Sequence, residues 1–358
     1  MEAKLLKNNT LLFSYQQSLL NWYNEHKRDL PWRQTPGFYH VWISEIVLQQ
    51  TQVKQGLNYY LRFVDAFPNV ESLARANEDE VLKMWEGLGY YSRARNLHFA
   101  AKQISDAGEF PKTYKDWLKI KGVGPYTAAA ISSIVAKEPR AVVDGNVQRV
   151  LSRLFSYDTP VNSTIGIKEI QMFAEQLLYS DEPGDYNQAL MELGARICKP
   201  KNPNCVECPV QEFCLANKKG TTLDLPVKEK KNKVRQRYLN FYLITGNNKI
   251  LLSRRAKGDV WEGLYQFPLI ETMSENELPN PVKRGVISRS NLNRLQLLSK
   301  GNHLLSHQKL NISCWYLNMK SDTFLIDNYK WFGIRELENL ALPRPLRKII
   351  SEYLVIED

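Results

Sequence analysis

Four of the five cysteines of the chain lie in one short segment, CKPKNPNCVECPVQEFC. Six, two and five residues separate them, and their positions are Cys198, Cys205, Cys208 and Cys214. Thiolates clustered in this way can bind zinc or an iron–sulfur cluster. Zinc sites usually combine two C-x2-C pairs, whereas here one such pair lies between two isolated cysteines, which favours an iron–sulfur cluster and keeps zinc as the alternative. Because four protein thiolates leave no open coordination position, we expect a structural metal.

Disulfides explain the same cysteines poorly, since the chain is long and otherwise poor in cysteine. The N-terminal stretch MEAKLLKNNTLLF has lysines but no apolar run that ends in a small-residue cleavage site, and no stretch has the length of a membrane-spanning helix. We therefore expect a cytoplasmic protein whose thiols are free to bind metal. Cys314, outside the segment, is predicted to be a buried core thiol.

Two carboxylates occur in settings that could change their chemistry. Glu45 interrupts the almost wholly apolar stretch VWISEIVL, and burial there would raise its pKa toward the value that a general acid needs near neutrality. A position on the solvated face of the helix is the commoner alternative. Asp144 precedes the helical stretch NVQRVLSRLF, where capping of the helix is the usual role of Asp, and Asn146 could share that role.

Gly122 and Gly124 form a Gly-Val-Gly turn that enters the helical pattern PYTAAAISSIV. Such a turn exposes backbone N–H groups at the positive end of a helix and suits a phosphate, although a tight helix–helix connection uses the same residues. Charge favours the phosphate, because Lys and Arg exceed Asp and Glu by 48 to 38 and the sequence pI is about 9.2. This balance indicates a nucleic-acid partner, with solubility as the bland alternative.

The elements that must position these residues change character along the chain. Helical periodicity dominates up to residue 217, including one apolar helix over residues 39–53. A basic segment follows, and residues 218–234 are predicted to be an exposed interdomain linker that could also contact repair proteins. Beyond it, the stretches YLNFYLIT and ILLSRR around the turn GNNK, and then NISCWYLNM, predict strands, and PLRKIISEYL predicts a helix. We expect an all-α body followed by a smaller α+β domain.

Taken together, these stretches resemble the adenine DNA glycosylases, the MutY family of the helix-hairpin-helix glycosylases that also include endonuclease III. The resemblance covers nearly the whole chain and is carried by LPWR, SEIVLQQTQV, GLGYYSRARNLH, GVGPYTAAAI, VDGNVQRVLSRL and the cysteine segment. It implies a helix-hairpin-helix glycosylase region over residues 1–217, with a cluster loop at 198–214, and a Nudix-like domain over residues 235–358.

The resemblance also implies roles for the residues discussed above. The four cysteines would hold a 4Fe-4S cluster, Glu45 would protonate N7 of adenine, and Asp144 would stabilise the positive charge of the sugar, through a covalent adduct in one version. Asn146 and Tyr126 would join them in the catalytic site. In related glycosylase/lyases, the position of Tyr126 holds a lysine that attacks the sugar, so the tyrosine implies a monofunctional enzyme.

Further residues would contact DNA by the same resemblance. Gln50 and Thr51 would line the lesion strand, Leu88 and Tyr90 would insert into the base stack, Gly122 and Gly124 would anchor the backbone, and Lys199 and Lys201 would contact phosphates. Ordinary core or turn packing is the alternative for the residues that insert or line the strand. The expected partner is duplex DNA that contains adenine opposite 8-oxoguanine or guanine, bound by a monomer.

The C-terminal part contains WEGLYQFP, which resembles the entry to a Nudix fold, but PVKRGVISRSNLNRL lacks the acidic metal-binding box. Nucleotide hydrolysis is therefore not expected. By resemblance, this domain would recognise 8-oxoguanine, with Leu305, Ser306 and His307 where the family has Phe-Ser-His. The rival interpretations are an endonuclease III-like enzyme for oxidised pyrimidines and a DNA-binding protein without catalysis.

Overall fold

The computed structural model describes residues 2–34, 36–229, 234–277, 279–319, 322 and 326–354. The chain divides into two compact units, and each consists of two separate stretches. The first unit comprises Met1–Ala74 and Phe99–Lys231, and the second comprises Arg75–His98 and Asn232–Asp358. Within the described residues, no helix combines the length and the apolar character needed to cross a membrane.

The first unit is helical, as its sequence periodicity predicts. Its helices are Glu2–Lys7, Asn9–His26, Pro31–Gln34, Phe38–Leu48, Val53–Ala66, Val70–Arg75, Tyr114–Trp117, Pro125–Val135, Gly145–Phe155, Thr164–Leu177, Pro183–Arg196 and Leu215–Lys219, with a short 3-10 turn at Gln211–Phe213. Helix Val70–Arg75 ends at the boundary with the second unit, and helix Ser92–Ala107 begins in the second unit and ends in the first.

One core of this unit lies among four of these helices. Leu19, Val147, Ile170 and Leu193, one from each helix, are fully buried in it. The apolar side chains of Gly145–Phe155 recur at helical spacing, so burying one face of this helix removes a continuous apolar stripe from water. The cysteine segment packs against the same core through Cys198, Cys208 and Cys214.

The predicted single helix over residues 39–53 is interrupted. One helix ends at Leu48 and the next begins at Val53, with Gln50 between them at a φ of 57°. A left-handed residue cannot continue a helix, so the chain turns here despite its apolar periodicity. Gly56 permits the close approach of the two helices, because a Cβ at this position would lie 2.6 Å from Cδ2 of Leu48.

The first part of the predicted linker is attached to the helical unit, which differs from the expectation of an exposed tether. Leu225 is buried, and the N–H of Val161 donates to the carbonyl of Val227 at 3.0 Å. Asn162 and Glu229 exchange two hydrogen bonds, of 2.8 and 3.2 Å. Residues 230–233 of the linker lie outside the described residues.

The second unit is an α+β structure built on a mixed sheet. Its strands are Arg235–Gly246, Lys249–Arg254, Tyr265–Gln266, Leu269–Thr272, Gln296–Leu304, Gln308–Asn318 and Lys330–Gly333, and helix Arg344–Tyr353 with two 3-10 segments, Arg289–Arg294 and Ile334–Asn339, completes its C-terminal stretch. The long strands Arg235–Gly246 and Gln308–Asn318 pair in parallel at the centre, and the other pairs are antiparallel.

The predicted hairpin at GNNK is present. Gly246 pairs with Lys249, and Asn247 and Asn248 adopt positive φ angles of 49° and 57°. Such angles at both central residues give a primed turn, whose twist matches that of the flanking strands. The core beneath the sheet includes the fully buried Cys314, which agrees with the predicted core thiol.

Residues Arg75–His98 contribute the helix Glu78–Met84 to the second unit, although the predicted glycosylase region 1–217 includes them. The carboxylate of Glu86 accepts two hydrogen bonds from the guanidinium of Arg347, at 2.6 and 3.0 Å. Arg95 forms an ion pair with Glu262 at 3.3 Å. These contacts and the apolar packing join the stretch to the C-terminal part of the chain.

Candidate active site

A cleft of about 1520 Å³ opens in the first unit. It exceeds the range of about 300–1,000 Å³ that is usual for small-molecule pockets, and so it has room for a segment of a larger molecule. Many residues singled out from the sequence line it, namely Glu45, Gln50, Thr51, Gly122, Gly124, Tyr126, Asp144 and Asn146. The fold therefore brings together carboxylates that are 99 positions apart in the chain.

Glu45 reaches this cleft from helix Phe38–Leu48. Its neighbours Trp42, Ile46 and Val47 are buried, while Glu45 itself is half-buried at the cleft wall. Burial raises the pKa of Glu45 to about 7, and the charge of Asp144 adds to the rise, whereas a hydrogen bond with Tyr126 acts against it. About half of the Glu45 side chains are therefore protonated at neutral pH.

Asp144 is the N-cap of helix Gly145–Phe155. Its Oδ1 accepts the N–H of Val147 at 2.7 Å, and its Oδ2 accepts Nδ2 of Asn146 at 2.8 Å. Burial raises the pKa of Asp144, and these two hydrogen bonds oppose the rise. Capping and a chemical role are thus compatible at this residue, because the cap fixes the carboxylate at the cleft.

Tyr126 lies in the first turn of helix Pro125–Val135 and hydrogen-bonds to Glu45. Its hydroxyl is also 3.5 Å from Sδ of Met191. Burial raises the pKa of Tyr126 well above its ordinary value, with the nearby carboxylates contributing. The phenol therefore remains protonated across the neutral range and can donate a hydrogen bond to the Glu45 carboxylate.

The Gly-Val-Gly turn lies at the mouth of the same cleft. Gly122 has a φ of 80°, which favours glycine, and Gly124 is the N-cap of the helix that carries Tyr126. A Cβ on Gly124 would meet no atom within 4 Å, so the space in front of this helix N-terminus is open. This geometry is suited to the approach of a phosphate.

The other predicted DNA contacts divide between the two units. Gln50 and Thr51 line the cleft, and Gln50 is exposed in a strained left-handed conformation. Leu88 and Tyr90 belong to the second unit. Leu88 is 8% exposed and packed, which does not suit insertion into a base stack, whereas Tyr90 is 45% exposed.

Ser306 and His307 are exposed in the turn between strands Gln296–Leu304 and Gln308–Asn318. The Oγ of Ser306 shares a short hydrogen bond with the hydroxyl of Tyr90, within the second unit. Leu305 was the expected apolar side chain of this turn, but it is half-buried, and the neighbouring Leu304 is 72% exposed instead.

The spacing of the cysteine segment left zinc and an iron–sulfur cluster as its two possible metals. Within the parts of the chain that the structure describes, no group of three or more Cys, His, Asp or Glu side chains is arranged to hold a metal ion. Four sulfurs around one zinc would each lie about 2.3 Å from it, whereas in a four-iron cluster the thiolates bind separate irons. The four thiols nevertheless influence each other's charge, as the raised pKa of Cys208 shows, although burial is the main cause there.

A chain of hydrogen bonds links the cysteine segment to Asp144. Asn146, which donates to Asp144, accepts Nη2 of Arg149 at 2.9 Å, and Nε of Arg149 donates to the carbonyl of Cys198 at 2.7 Å. Arg149, which is 8% exposed, is not among the residues that the sequence singles out. In the sequence, Arg149 is a basic residue beside the apolar positions of NVQRVLSRLF. A charged residue in such a position is usually solvated, so the sequence gives no sign of its burial.

Three regions of the chain match known protein families. Residues 43–175 match the HhH-GPD superfamily of base excision DNA repair proteins, residues 198–214 match the iron-sulfur binding domain of endonuclease III, and residues 240–352 match the NUDIX domain. A solved thermostable thymine-DNA glycosylase superposes on 59% of this chain and 98% of its own, with a TM-score of 0.54 and 30% identity. The fold and the site thus define an iron–sulfur DNA glycosylase of base excision repair, with an added NUDIX domain.

Full-length relatives narrow this class. The adenine DNA glycosylase of Buchnera aphidicola subsp. Schizaphis graminum is 30% identical over 354 residues, which cover 96% of this chain and 99% of the relative. That of Rattus norvegicus is 30% identical and covers 95% of this chain and 78% of the relative. The chain belongs to the adenine DNA glycosylase family. It is a DNA-binding hydrolase of N-glycosyl bonds, its cofactor is a 4Fe-4S cluster, and the expected fold class is confirmed.

Proposed function

We propose that this enzyme excises adenine opposite 8-oxoguanine or guanine from duplex DNA by hydrolysis and leaves an abasic site. The observation that carries the proposal is the single cleft in which Glu45, with a pKa of about 7, faces Asp144 and Tyr126.

Glu45 acts as the general acid. Adenine leaves poorly as an anion, and protonation at N7 allows the bond to deoxyribose to break. An ordinary carboxyl group would be ionised at neutral pH, but burial keeps a large fraction of Glu45 protonated. The Tyr126 hydroxyl, held at the carboxyl group by a hydrogen bond, orients it and stabilises the carboxylate that remains after proton transfer.

Asp144 stabilises the sugar. Loss of adenine gives the deoxyribose oxocarbenium character, and an ionised carboxylate in a partly water-excluded cleft stabilises that positive charge, directly or through a covalent adduct. The N–H of Val147 and the amide of Asn146 favour the ionised form of Asp144. Two carboxyl groups with different partners thus take opposite protonation states, as in other glycosidic hydrolyses.

The adenine must leave the base stack before either group can reach it. Flipping costs a few kcal/mol, and less for a mispaired base. The size of the cleft supports entry of a whole nucleotide. Gln50 and Thr51 line the path of the lesion strand in this proposal, and Gly122 and Gly124 hold the DNA backbone.

Recognition of the opposite base is assigned to Ser306 and His307, which are exposed and able to hydrogen-bond a purine edge. The glycosylase region 1–217 and the recognition domain 235–358 act together in a monomer. The wedge role is kept for Tyr90 and not for Leu88, because only Tyr90 exposes a large part of its side chain.

Strand cleavage is not part of the reaction. A lyase needs an amine that attacks C1′ of the sugar and forms a Schiff base, and the phenol of Tyr126 cannot form one. The product is therefore an intact strand with an abasic site.

A single-turnover assay tests the proposal. Wild type and Glu45→Gln are incubated with excess enzyme over duplexes that contain adenine opposite 8-oxoguanine or guanine. We expect the variant to lose base release by about 10²–10⁴-fold, the usual contribution of a general acid, while duplex binding is retained. Glu109→Gln is the matched control, because this glutamate is exposed and does not line the cleft.

Two results would contradict the proposal. Full base release by Glu45→Gln would show that Glu45 is not the general acid. In samples analysed without alkali treatment, abundant nicked product from wild type would contradict the monofunctional mechanism. The assignment of adenine as the excised base would not be affected.

A further inference from the structure

Arg153 is a cation in the core of the first unit. It lies in helix Gly145–Phe155 and is 1% exposed, among the most deeply buried large side chains described. Arginine is almost never fully buried unless it is paired with an anion. A buried guanidinium of this kind therefore requires an anion close by.

All three nitrogens of the guanidinium make hydrogen bonds. Nε donates to the carbonyl of Leu225 at 3.1 Å, Nη2 to that of Pro200 at 3.0 Å, and Nη1 to that of Lys199 at 2.8 Å. Nη1 also donates to Sγ of Cys198 at 3.2 Å. These bonds satisfy the donors, but carbonyl groups carry no net charge.

Among the residues that the structure describes, no carboxylate forms an ion pair with Arg153. The buried carboxylate of Glu192, in the same unit, is already paired with Arg28 and Arg33 at 2.6 and 3.0 Å. An isolated guanidinium in a protein interior is strongly unfavourable. The anion must come from the cysteine segment, where a bound cluster turns four thiols into thiolates.

We infer that Arg153 is the counter-charge of the iron–sulfur cluster and sets its reduction potential through the N–H···S bond to Cys198. Sγ of Cys214 lies 3.4 Å from the main-chain carbonyl oxygen of Arg153, so this residue is next to both the first and the last cysteine of the segment. A nearby positive charge and a hydrogen bond to sulfur both favour the state of the cluster with one more electron, and so raise the potential.

Arg149 does not share this role equally. It donates to the carbonyl of Cys198 and not to its sulfur, and its charge interacts with Asp144 as well as with Cys198. The assignment therefore falls on Arg153, four residues further along the helix and on the same side of it.

The test measures the cluster and not the glycosylase reaction. Holoprotein of Arg153→Gln is purified, its iron and sulfide are counted, and its midpoint potential is measured by voltammetry. We expect a fully loaded cluster whose oxidised-to-reduced ratio at the wild-type midpoint rises at least about tenfold, which is a decrease of about 59 mV for one electron.

Lys219→Gln is the matched control. Lys219 is exposed five residues after Cys214 and bonds to Oγ of Ser156, so its charge lies close in sequence to the same segment but in water. Solvent screening should limit the change in the ratio to less than about twofold. A loaded Arg153→Gln protein with the wild-type potential would overturn the inference.

Arg153→Lys covers the case in which the Gln variant fails to fold or to retain iron. Lysine keeps the charge with fewer directed donors, so the inference predicts a loaded cluster with a potential nearer to wild type than that of any loaded neutral variant. Loss of the cluster in both variants would show that the shape of the guanidinium, and not its charge, is what the segment requires, and would also overturn the inference.

Discussion

The titration of Glu45 gives the sharpest prediction, because the proposed acid works only while it holds its proton. Raising the pH is the perturbation. With a pKa of about 7, the protonated fraction of Glu45 is about 90% at pH 6, about 50% at pH 7 and about 10% at pH 8. The single-turnover rate of adenine release should follow this fraction and fall about tenfold between pH 6 and pH 8.

The acid side of the profile belongs to Asp144, which must be ionised. Its pKa is raised by burial above the ordinary value of 3.8, so the rate should also fall as the pH drops toward the acid range. The two limits together give a bell-shaped profile, whose apparent pKa values belong to the coupled pair. Glu45→Gln should give a low rate with no decrease above pH 7.

The same titration affects stability, with a definite sign. The pKa of Glu45 is higher in the folded protein than its ordinary value of 4.5, so its favourable contribution is fully present below pH 4.5 and is lost as the pH rises through about 7. The shift corresponds to at most about 3–4 kcal/mol. Relative to wild type, Glu45→Gln should therefore become more stable at pH 8 than it is at pH 5.

The assay uses excess enzyme, a duplex with adenine opposite 8-oxoguanine, and rapid quenching at each pH, so that product release does not limit the rate. Binding of the duplex is measured in parallel, since DNA affinity also changes with conditions. A wild-type rate that stays constant or rises from pH 6 to pH 8, with the duplex fully bound, would refute the role of Glu45 as acid.

Three other substitutions give separate tests. Arg149→Gln removes the guanidinium that joins Asn146 to the carbonyl of Cys198. It should lower the rate of base release by at least about tenfold while the duplex still binds. An unchanged rate would show that the hydrogen-bond chain does not position Asp144. Tyr90→Phe removes the hydroxyl that is hydrogen-bonded to Ser306. It should alter the ratio of base-release rates for adenine opposite 8-oxoguanine and opposite guanine by about three- to tenfold. An equal effect on both substrates would contradict a role in recognition of the opposite base. Tyr126→Lys places an amine beside the two carboxylates and should give a Schiff base with the deoxyribose that borohydride traps. If the base is still released but no complex is trapped, this position does not face C1′ of the sugar.

Much of the local structure follows from the sequence because the governing interactions are short-range. The apolar spacing of NVQRVLSRLF predicts the helix that the structure shows as Gly145–Phe155, and GNNK between two extended runs predicts the turn of the hairpin. Placement of Glu45 on an apolar helix was also predictable. The sequence could not predict whether the Glu45 side chain contacts water or lies near a second carboxylate, because that depends on Asp144 at the start of a distant helix.

The departures have tertiary causes. The helix break at Gln50 overrides an apolar pattern that favours continuation, and Gly56 leaves room for the two helices to pack closely at the break. Arg149 and Arg153 look like solvated charges in the sequence, yet both are buried because their partners are carbonyl groups and cysteines from a loop about 50 residues away. The linker composition predicts exposure, but Leu225 is buried by contacts that composition cannot show.

The interleaved stretches of the second unit have a consequence for any attempt to divide the protein. A protease that nicks the chain between residues 219 and 234 would not release two autonomous pieces, because Arg75–His98 stays covalently in the N-terminal product while packing with Asn232–Asp358. The nicked halves should co-elute as complementing fragments, held together by Glu86 and Arg347 and the apolar contacts around them. A C-terminal fragment expressed alone would lack the helix Glu78–Met84 and would expose the surface that this helix covers.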